Sequence, residues 1–349
     1  VREYLQAISG LELREKVTIG TGLRMGRPEK AAPREMSPPV HALFPLGDKG
    51  GKSRSLTKAI KSDGKIKVTL ANIRCPRCGE YLLEYRCPKC GARGIIVNIC
   101  PKWGIETRDD SCARCDLRTV AYSLRTCDLR GYIKHLEERF GVRLPKEVKC
   151  VKGLMNDGHK PEPLIKGILR AKYALYVFKD GTIRFDATNA PLTHFKLAEI
   201  GLTVEDAQRL GYKHDYMGRP LKHEGQTLEL KVQDIVIPKS AAEYLVKVAN
   251  FIDELLVKVY GLEPYYNVKT AKDLIGHLVI GIAPHTSAGV IGRIIGFVDA
   301  NVIYAHPYWH AAKRRNCDGD EDAIILALDG LLNFSKQFLP SQRGGMMDA

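Results

Sequence analysis

The sequence predicts an α+β fold, rich in β structure, with inserted zinc-ribbon modules and peripheral helices. Three observations carry that expectation. Cysteines recur in Cys-x-x-Cys pairs between residues 75 and 115. Apolar runs between 276 and 305 are punctuated by Gly281, Gly289, Gly292 and Gly296, the spacing of strands that cross closely and curve, as in a small barrel. A helical stripe of Leu245, Ala249, Ile252, Leu256 and Val259 runs through 240–260 and stops at Gly261.

Taken in order, residues 1–56 are rich in Gly, Pro and charge. They contain Gly26-Arg-Pro-Glu-Lys30 and the loop Leu46-Gly-Asp-Lys49-Gly-Gly-Lys52-Ser-Arg54. Lys67–Ile73 alternates like a strand and leads into the cysteine region. Gly131–Phe140 has helical spacing through Ile133, Leu136 and Phe140. Residues 173–188 read as a hairpin around Asp180-Gly181. Thr203-x-x-Asp206 resembles a capping box for a short helix ended by Gly211. Ser240-x-x-Glu243 reads as the capping box of the long helix. Strands are expected at His277–Ile282, Val290–Val298 and Val302–Tyr304, then an acidic loop, then a helix over Ala323–Phe338 stopped by Pro340.

Composition narrows the function classes. The chain has 349 residues, enough for two or three domains, with 44% hydrophobic content and a net charge of +14. Its pI of about 9.2 points to a polyanion partner, nucleic acid before an anionic membrane surface. The longest apolar stretch, Leu274–Val298, is broken by His277, Pro284, His285 and Arg293, so no membrane span is expected. The chain opens on Val1 without a signal peptide and ends on Met-Met-Asp-Ala, which reads as a fragment of a longer protein.

The ten cysteines argue for metal in a reducing compartment rather than for disulfides. Cys75-Pro-Arg-Cys78-Gly and Cys87-Pro-Lys-Cys90-Gly are two C-P-x-C-G copies whose four thiolates suit a closed, structural Zn²⁺ site. A second set comprises Cys100, Cys112 and Cys115, with Trp103 standing where another Cys is expected. Cys127 is the candidate to replace it. Cys150 and Cys317 are left over as free thiols.

The strongest chemical signal is Lys313-Arg314-Arg315-Asn316-Cys317-Asp318-Gly-Asp320-Glu-Asp322. Crowded carboxylates raise one another's pKa, so such a run persists most easily around a hard cation such as Mg²⁺. Three adjacent cations would face phosphates. Acid for metal beside base for phosphate is what phosphoryl transfer on a nucleic acid requires. A solvated charge run is the plain alternative. An EF-hand is disfavoured because Ala323 stands where Gly belongs and an apolar run follows. Gly51-Lys52-Ser53 tempts a P-loop reading, but Leu46 occupies the position of that motif's first Gly.

His306-Pro-Tyr-Trp-His310-Ala-Ala-Lys-Arg-Arg-Asn316-Cys-Asp318-Gly-Asp320-Glu-Asp closely resembles the catalytic segment of the large subunit of archaeal family D DNA polymerase. Asp48-Lys49-Gly-Gly-Lys52, Gly26–Lys30, Ala283–Gly289 and Ala190-Pro-Leu-Thr-His-Phe195 share the resemblance. It implies two double-psi β-barrels, as in multi-subunit RNA polymerases. Residues 1–73 would hold part of the first barrel with the basic loop, 74–130 two zinc modules, and 131–230 a connecting region with remaining barrel strands. Residues 231–349 would hold the second barrel with the Asp loop.

The resemblance further implies that Asp318 and Asp320 bind Mg²⁺, with Asn316 as an added ligand, and that Lys49 and Lys52 are catalytic. Arg54, Arg314 and Arg315 would contact phosphates. The partners implied are primer–template DNA, dNTPs, a small exonuclease subunit and, through regions outside this chain, a sliding clamp, in an archaeal cytoplasm. An RNA-polymerase-like enzyme and a non-enzymatic zinc-ribbon binder are the competing readings. His306 and His310 are expected to pack rather than react, and Asp322 to cap the helix that follows.

Overall fold

The computed structural model describes Ala7 and residues 36–283, 288–317 and 319–340. Gly26–Lys30, residues 284–287 and Asp318 lie outside the described residues.

The basic loop leads into α1 (Leu56–Ser62), whose first turn is capped by Ser55 Oγ accepting from the Lys58 amide at 3.4 Å. Strand β1 (Lys65–Ala71) follows, burying Ile66, Val68 and Leu70 on alternate positions. Five two-residue strands then belong to the cysteine region: β2 (Ile73–Arg74), β3 (Tyr81–Leu82), β4 (Ile95–Ile96), β5 (Asn98–Ile99) and β6 (Glu106–Thr107). Strand β7 (Tyr122–Asp128) returns antiparallel along β1, so the cysteine modules hang from this ribbon. Helix α2 (Leu129–Phe140) starts on the Asp128 carboxylate, which accepts from the Gly131 amide at 3.1 Å, and ends at left-handed Gly141.

One closed barrel is present among the described residues, and a second is not seen. The segment before α1 joins its surroundings through isolated bridges, Pro45 with Val151 and Ser55 with Lys149. Pro38, Pro39 and Pro45 carry no amide hydrogen for a continuous ladder.

Helix α3 (Leu164–Lys172) packs Ile165, Ile168 and Leu169 into the main core. Its Arg170 is fully buried and grips Glu162 through two bonds of 2.6 and 2.7 Å. The expected hairpin at 173–188 forms only its turn. Gly181 sits at φ +88° and donates to Phe178 O at 2.9 Å. The run before the turn makes no strand, because the Val177 amide is taken by Val40 O at 2.9 Å. The run after it becomes β8 (Phe185–Pro191), a barrel strand.

A small second core lies under β9 (His194–Lys196), α4 (Leu197–Ile200), α5 (Val204–Arg209) and β10 (Thr227–Glu229). The Thr203–Asp206 capping box is present, with the Thr203 hydroxyl accepting from the Asp206 amide at 3.2 Å. Strand β11 (Asp234–Pro238) runs straight into α6 (Lys239–Leu255), which continues as a wide turn through Tyr260 and stops at left-handed Gly261. The Ser240–Glu243 capping box is not formed: Pro238 still pairs with Val298 in the sheet, so the end of the strand sets the start of the helix.

Strands β12 (Leu278–Ile282), β13 (Gly289–Val298) and β14 (Val302–Ala305) lead to α7 (Pro307–Ala312), then β15 (Glu321–Leu326) and α8 (Ala327–Asn333). The expected helix over 323–338 is thus a strand and a shorter helix. Ala323–Leu326 is buried throughout and hydrogen-bonded to β12 on one side, with Ala323 and Ile324 also paired to β8 on the other. A short apolar run of this kind cannot be told from a buried helix by periodicity.

The barrel closes in the order β11-β13-β12-β15-β8-β14 and back to β11. Its β11–β13 and β14–β8 pairs are parallel and the rest antiparallel. The glycines expected at close crossings sit there. A Cβ on Gly281 would lie 2.3 Å from the Trp309 ring, and one on Gly296 would meet Ile200 at 2.8 Å. Gly281 lets the α7 tryptophan approach the barrel closely, and Gly296 admits α4.

Candidate active site and cysteine clusters

The acidic run forms the connection from α7 back into the barrel through β15. Its two ends are joined inside the protein. Lys313, fully buried, is ion-paired with the equally buried Asp322, and its ammonium lies 3.7 Å from the Trp309 ring centroid. Burial pushes the Lys313 ammonium down to about 8, although the Asp322 carboxylate opposes it.

Two expectations are corrected here. Lys313 does not face phosphates, because its charge is spent on Asp322. Asp322 does not cap a helix, because it is a strand residue pointing inward. Both histidines hold local contacts, and His310 Nδ1 lies 3.6 Å from the Asp322 carboxylate. His310 Nε2 donates to Ala190 O at 3.0 Å, and His306 Nδ1 accepts from the Tyr308 amide at 3.2 Å to start α7.

Between these ends, Asn189 on β8 holds the loop. Its Nδ2 donates to Asn316 O at 2.8 Å, its Oδ1 accepts from the Gly319 amide at 3.2 Å, and its own amide donates to Asp320 O at 2.9 Å. Asn189 is completely buried. Sequence reasoning missed it; its nearest signal was the adjoining Ala190–Phe195 segment. The loop it holds displays Asp320, half-buried and 3.3 Å from the Arg315 guanidinium. Arg315 therefore balances a carboxylate, while Arg314 is exposed with φ +59°. Asn316 is exposed. Asp318 lies outside the described residues.

The basic loop is a tight turn. Gly47 and Gly50 have φ +61° and +89°, and a Cβ on Gly50 would lie 2.8 Å from Ser55 O. Lys49 is engaged by Asp63 at 3.0 Å, Lys52 is exposed and Arg54 is half-buried with φ +48°.

The cysteine region consists of four knuckles with one backbone pattern. The amides of Gly79, Gly91, Gly104 and Asp116 donate to the carbonyls of Cys75, Cys87, Cys100 and Cys112 at 2.8–2.9 Å, and all four residues have positive φ. The first two knuckles gather Cys75, Cys78, Cys87 and Cys90 with their sulfurs within 4.8 Å of one another. The Cys78 amide holds the Cys75 thiol down to about 6, whereas contact with Cys90 pushes Cys78 up to about 12. Four crowded thiols sharing charge in this way fit Zn²⁺.

The other two knuckles gather Cys100, Cys112 and Cys115. Cys127 is not part of that cluster, which corrects the expectation. It lies on β7 opposite Ile66, buried in the main hydrophobic core, because β1–β7 pairing turns its side chain inward.

A ribbon-mounted set of cysteine knuckles, joined to a closed barrel that displays carboxylates beside cations, has the make-up of a polynucleotide-handling protein. Residues 141–349 match the family model described as "DNA polymerase II large subunit DP2, catalytic domain", and residues 1–109 match its central domain. The chain belongs to the DNA polymerase II large subunit DP2 family. It is 52% identical to the DNA polymerase II large subunit of Archaeoglobus fulgidus, over 100% of this chain and 31% of that protein. It is 51% identical to that of Pyrococcus furiosus (97% of this chain, 27% of that protein) and 50% to that of Methanocella arvoryzae (99% and 31%). The chain thus spans 27–31% of the length of these relatives. No helix among the described residues is long and apolar enough to cross a membrane.

Proposed function

We propose that this chain is the catalytic core of a DNA polymerase large subunit, adding dNTPs to a primer 3′-hydroxyl on a DNA template. The single observation that supports this best is the loop 314–320, held by Asn189 and closed by the Lys313–Asp322 pair, which presents Asp320 at the surface of a rigid barrel. Its barrel is read as one of two double-psi barrels, the other being completed around the 36–56 and 148–152 segments.

In this reading Asp318 and Asp320 hold Mg²⁺, and Asn316 is an added oxygen donor. Bound Mg²⁺ supplies a lowered pKa at the primer hydroxyl and charge stabilisation at the departing pyrophosphate. Arg315 releases Asp320 to the cation and turns toward phosphate oxygens, as does the exposed Arg314. Lys49 and Lys52, on a loop pre-bent by Gly47, Gly50 and Gly51, neutralise charge on the incoming triphosphate. Arg54 adds a contact to template phosphates. The complete enzyme works with its small exonuclease subunit and, through regions outside this chain, a sliding clamp.

The test is primer extension by the intact large subunit with its small subunit, in Mg²⁺ with dNTPs or NTPs, comparing wild type with Asp318→Ala/Asp320→Ala. Extension with dNTPs that disappears in the variant, while DNA binding persists, is the expected result. Extension that survives removes the Asp loop from the chemistry, and use of NTPs instead moves the chain to the RNA-polymerase-like reading.

A further inference from the structure

The two cysteine clusters share a backbone but not a ligand count. In the third knuckle, Cys100 accepts from the Gly104 amide at 2.8 Å and donates its own amide to Ile105 O at 2.9 Å; in the first, the corresponding distances for Cys75 are 2.9 and 2.8 Å. The turn that presents a metal ligand is therefore intact. Cys100 and Cys115 sulfurs are 3.5 Å apart, the same as Cys75 and Cys90. What differs is residue 103. Trp103 stands where Cys78 and Cys90 stand in the first module. Its ring turns outward, 44% exposed, with the Arg114 guanidinium 4.0 Å and the Lys102 ammonium 5.4 Å from the ring centroid.

No other donor takes that position among the described residues. Among the described residues, no further Cys, His, Asp or Glu joins the three sulfurs within 4.8 Å. Residues 1–35 and 341–349 contain neither Cys nor His. Cys127 and Cys150 are committed to the hydrophobic core, and Cys317 lies on the Asp loop. Zn²⁺ completes four-coordination wherever it can, and three protein ligands plus one external ligand is its arrangement in open sites.

We propose that the second cysteine cluster is an open metal site. Cys100, Cys112 and Cys115 hold Zn²⁺, and the fourth position is taken by an exchangeable external ligand, water at rest and a small thiolate when one is supplied. Lys102 and Arg114, the cations on the Trp103 ring, add positive charge to this pair of knuckles, which favours an anionic donor. The first cluster, with four thiolates, is closed and exchange-inert by comparison. Losing an outer-shell partner alone weakens metal binding about 10–100-fold, so a missing ligand is expected to make this zinc at least about 100-fold more chelator-accessible than its neighbour.

The experiment uses the intact large subunit with bound zinc and a chromogenic chelator, followed by Co²⁺ substitution. Wild type is expected to release one zinc in a fast phase that is absent in Cys112→Ser and becomes slow in Trp103→Cys or, should that variant fold poorly, in Trp103→His. In the Co²⁺ protein, added 2-mercaptoethanol is expected to strengthen the thiolate charge-transfer band of wild type and leave that of Trp103→Cys unchanged. A wild-type protein without the fast phase, or with a charge-transfer band insensitive to thiol, overturns the proposal by showing a closed site. So does a Trp103→Cys protein that gains one zinc over wild type, since the three-cysteine cluster would then hold no metal on its own. None of these readouts depends on polymerase activity.

Discussion

Asn189→Ala isolates the loop from its support without replacing a proposed metal ligand. The substitution removes two side-chain hydrogen bonds, the 2.8 Å bond to Asn316 O and the 3.2 Å bond from the Gly319 amide. Each is worth about 1 kcal/mol net, so the ordered loop loses roughly 2 kcal/mol, or up to about 30-fold in its population relative to looser conformers. The strand itself should survive, because the residue 189 amide still donates to Asp320 O and β8 keeps its pairing with β14 and β15. If only the ordered loop binds Mg²⁺ well, half-saturating Mg²⁺ for primer extension rises by up to the same factor. The assay is a Mg²⁺ titration of single-nucleotide extension, with circular dichroism to verify folding. Asn189→Asp should be impaired as well, since it keeps the acceptor for Gly319 but loses the donor to Asn316. A folded Asn189→Ala enzyme with wild-type Mg²⁺ dependence and turnover would refute the view that this contact positions the loop.

Three further outcomes are expected. Arg170→Met should destabilise the protein by about 3–5 kcal/mol, because it strands the buried Glu162 carboxylate; denaturant unfolding measures this, and a loss below about 1 kcal/mol would contradict it. Gly281→Ala drives a methyl into the Trp309 ring, which also carries Lys313, so a cost of about 1–3 kcal/mol is expected together with reduced extension; an unchanged melting temperature would contradict the packing. Asp329 is fully buried, and burial pushes its carboxyl up to about 6 despite bonds from the Ile183 amide and Asn333. With its folded pKa above the unfolded value, the native state binds more protons, so this group's contribution to stability is greatest below about pH 4 and falls as pH rises to about 6. Asp329→Asn should flatten that segment of the stability–pH curve, and an unaltered slope would assign it to other groups.

The legible parts of this protein are those whose chemistry is local. Cys75-x-x-Cys78-Gly and its repeats announce knuckles because a turn of five residues, with Gly (Asp116 in the fourth) at the left-handed position, is specified within its own span. The same holds for the Thr203–Asp206 capping box, for the glycine-punctuated strands β12–β14 and for the stripe of α6. The misreadings share the opposite property. Ala323–Leu326 looked helical because a short apolar run has no decisive period, and only pairing with β12 and β8 makes it a strand. The Val177 run lost its hairpin to Val40, a residue far away in sequence. Cys127 counted as a ligand by arithmetic, yet β1–β7 register turns it into the core.

The amino-acid order by itself determined the composition of the site: an Asp-rich run after Lys313-Arg314-Arg315, a Gly-rich basic loop and a series of Cys-x-x-Cys knuckles between residues 75 and 115. Tertiary structure alone decided how those groups divide their work. Of three adjacent cations, Lys313 is drawn inside to Asp322, Arg315 balances Asp320, and Arg314 stays exposed. Asn189, more than a hundred residues earlier, supplies the bonds that hold the loop. The physical reason is that a charge's role follows from its burial and its partner, and both are set by which strands the barrel brings side by side.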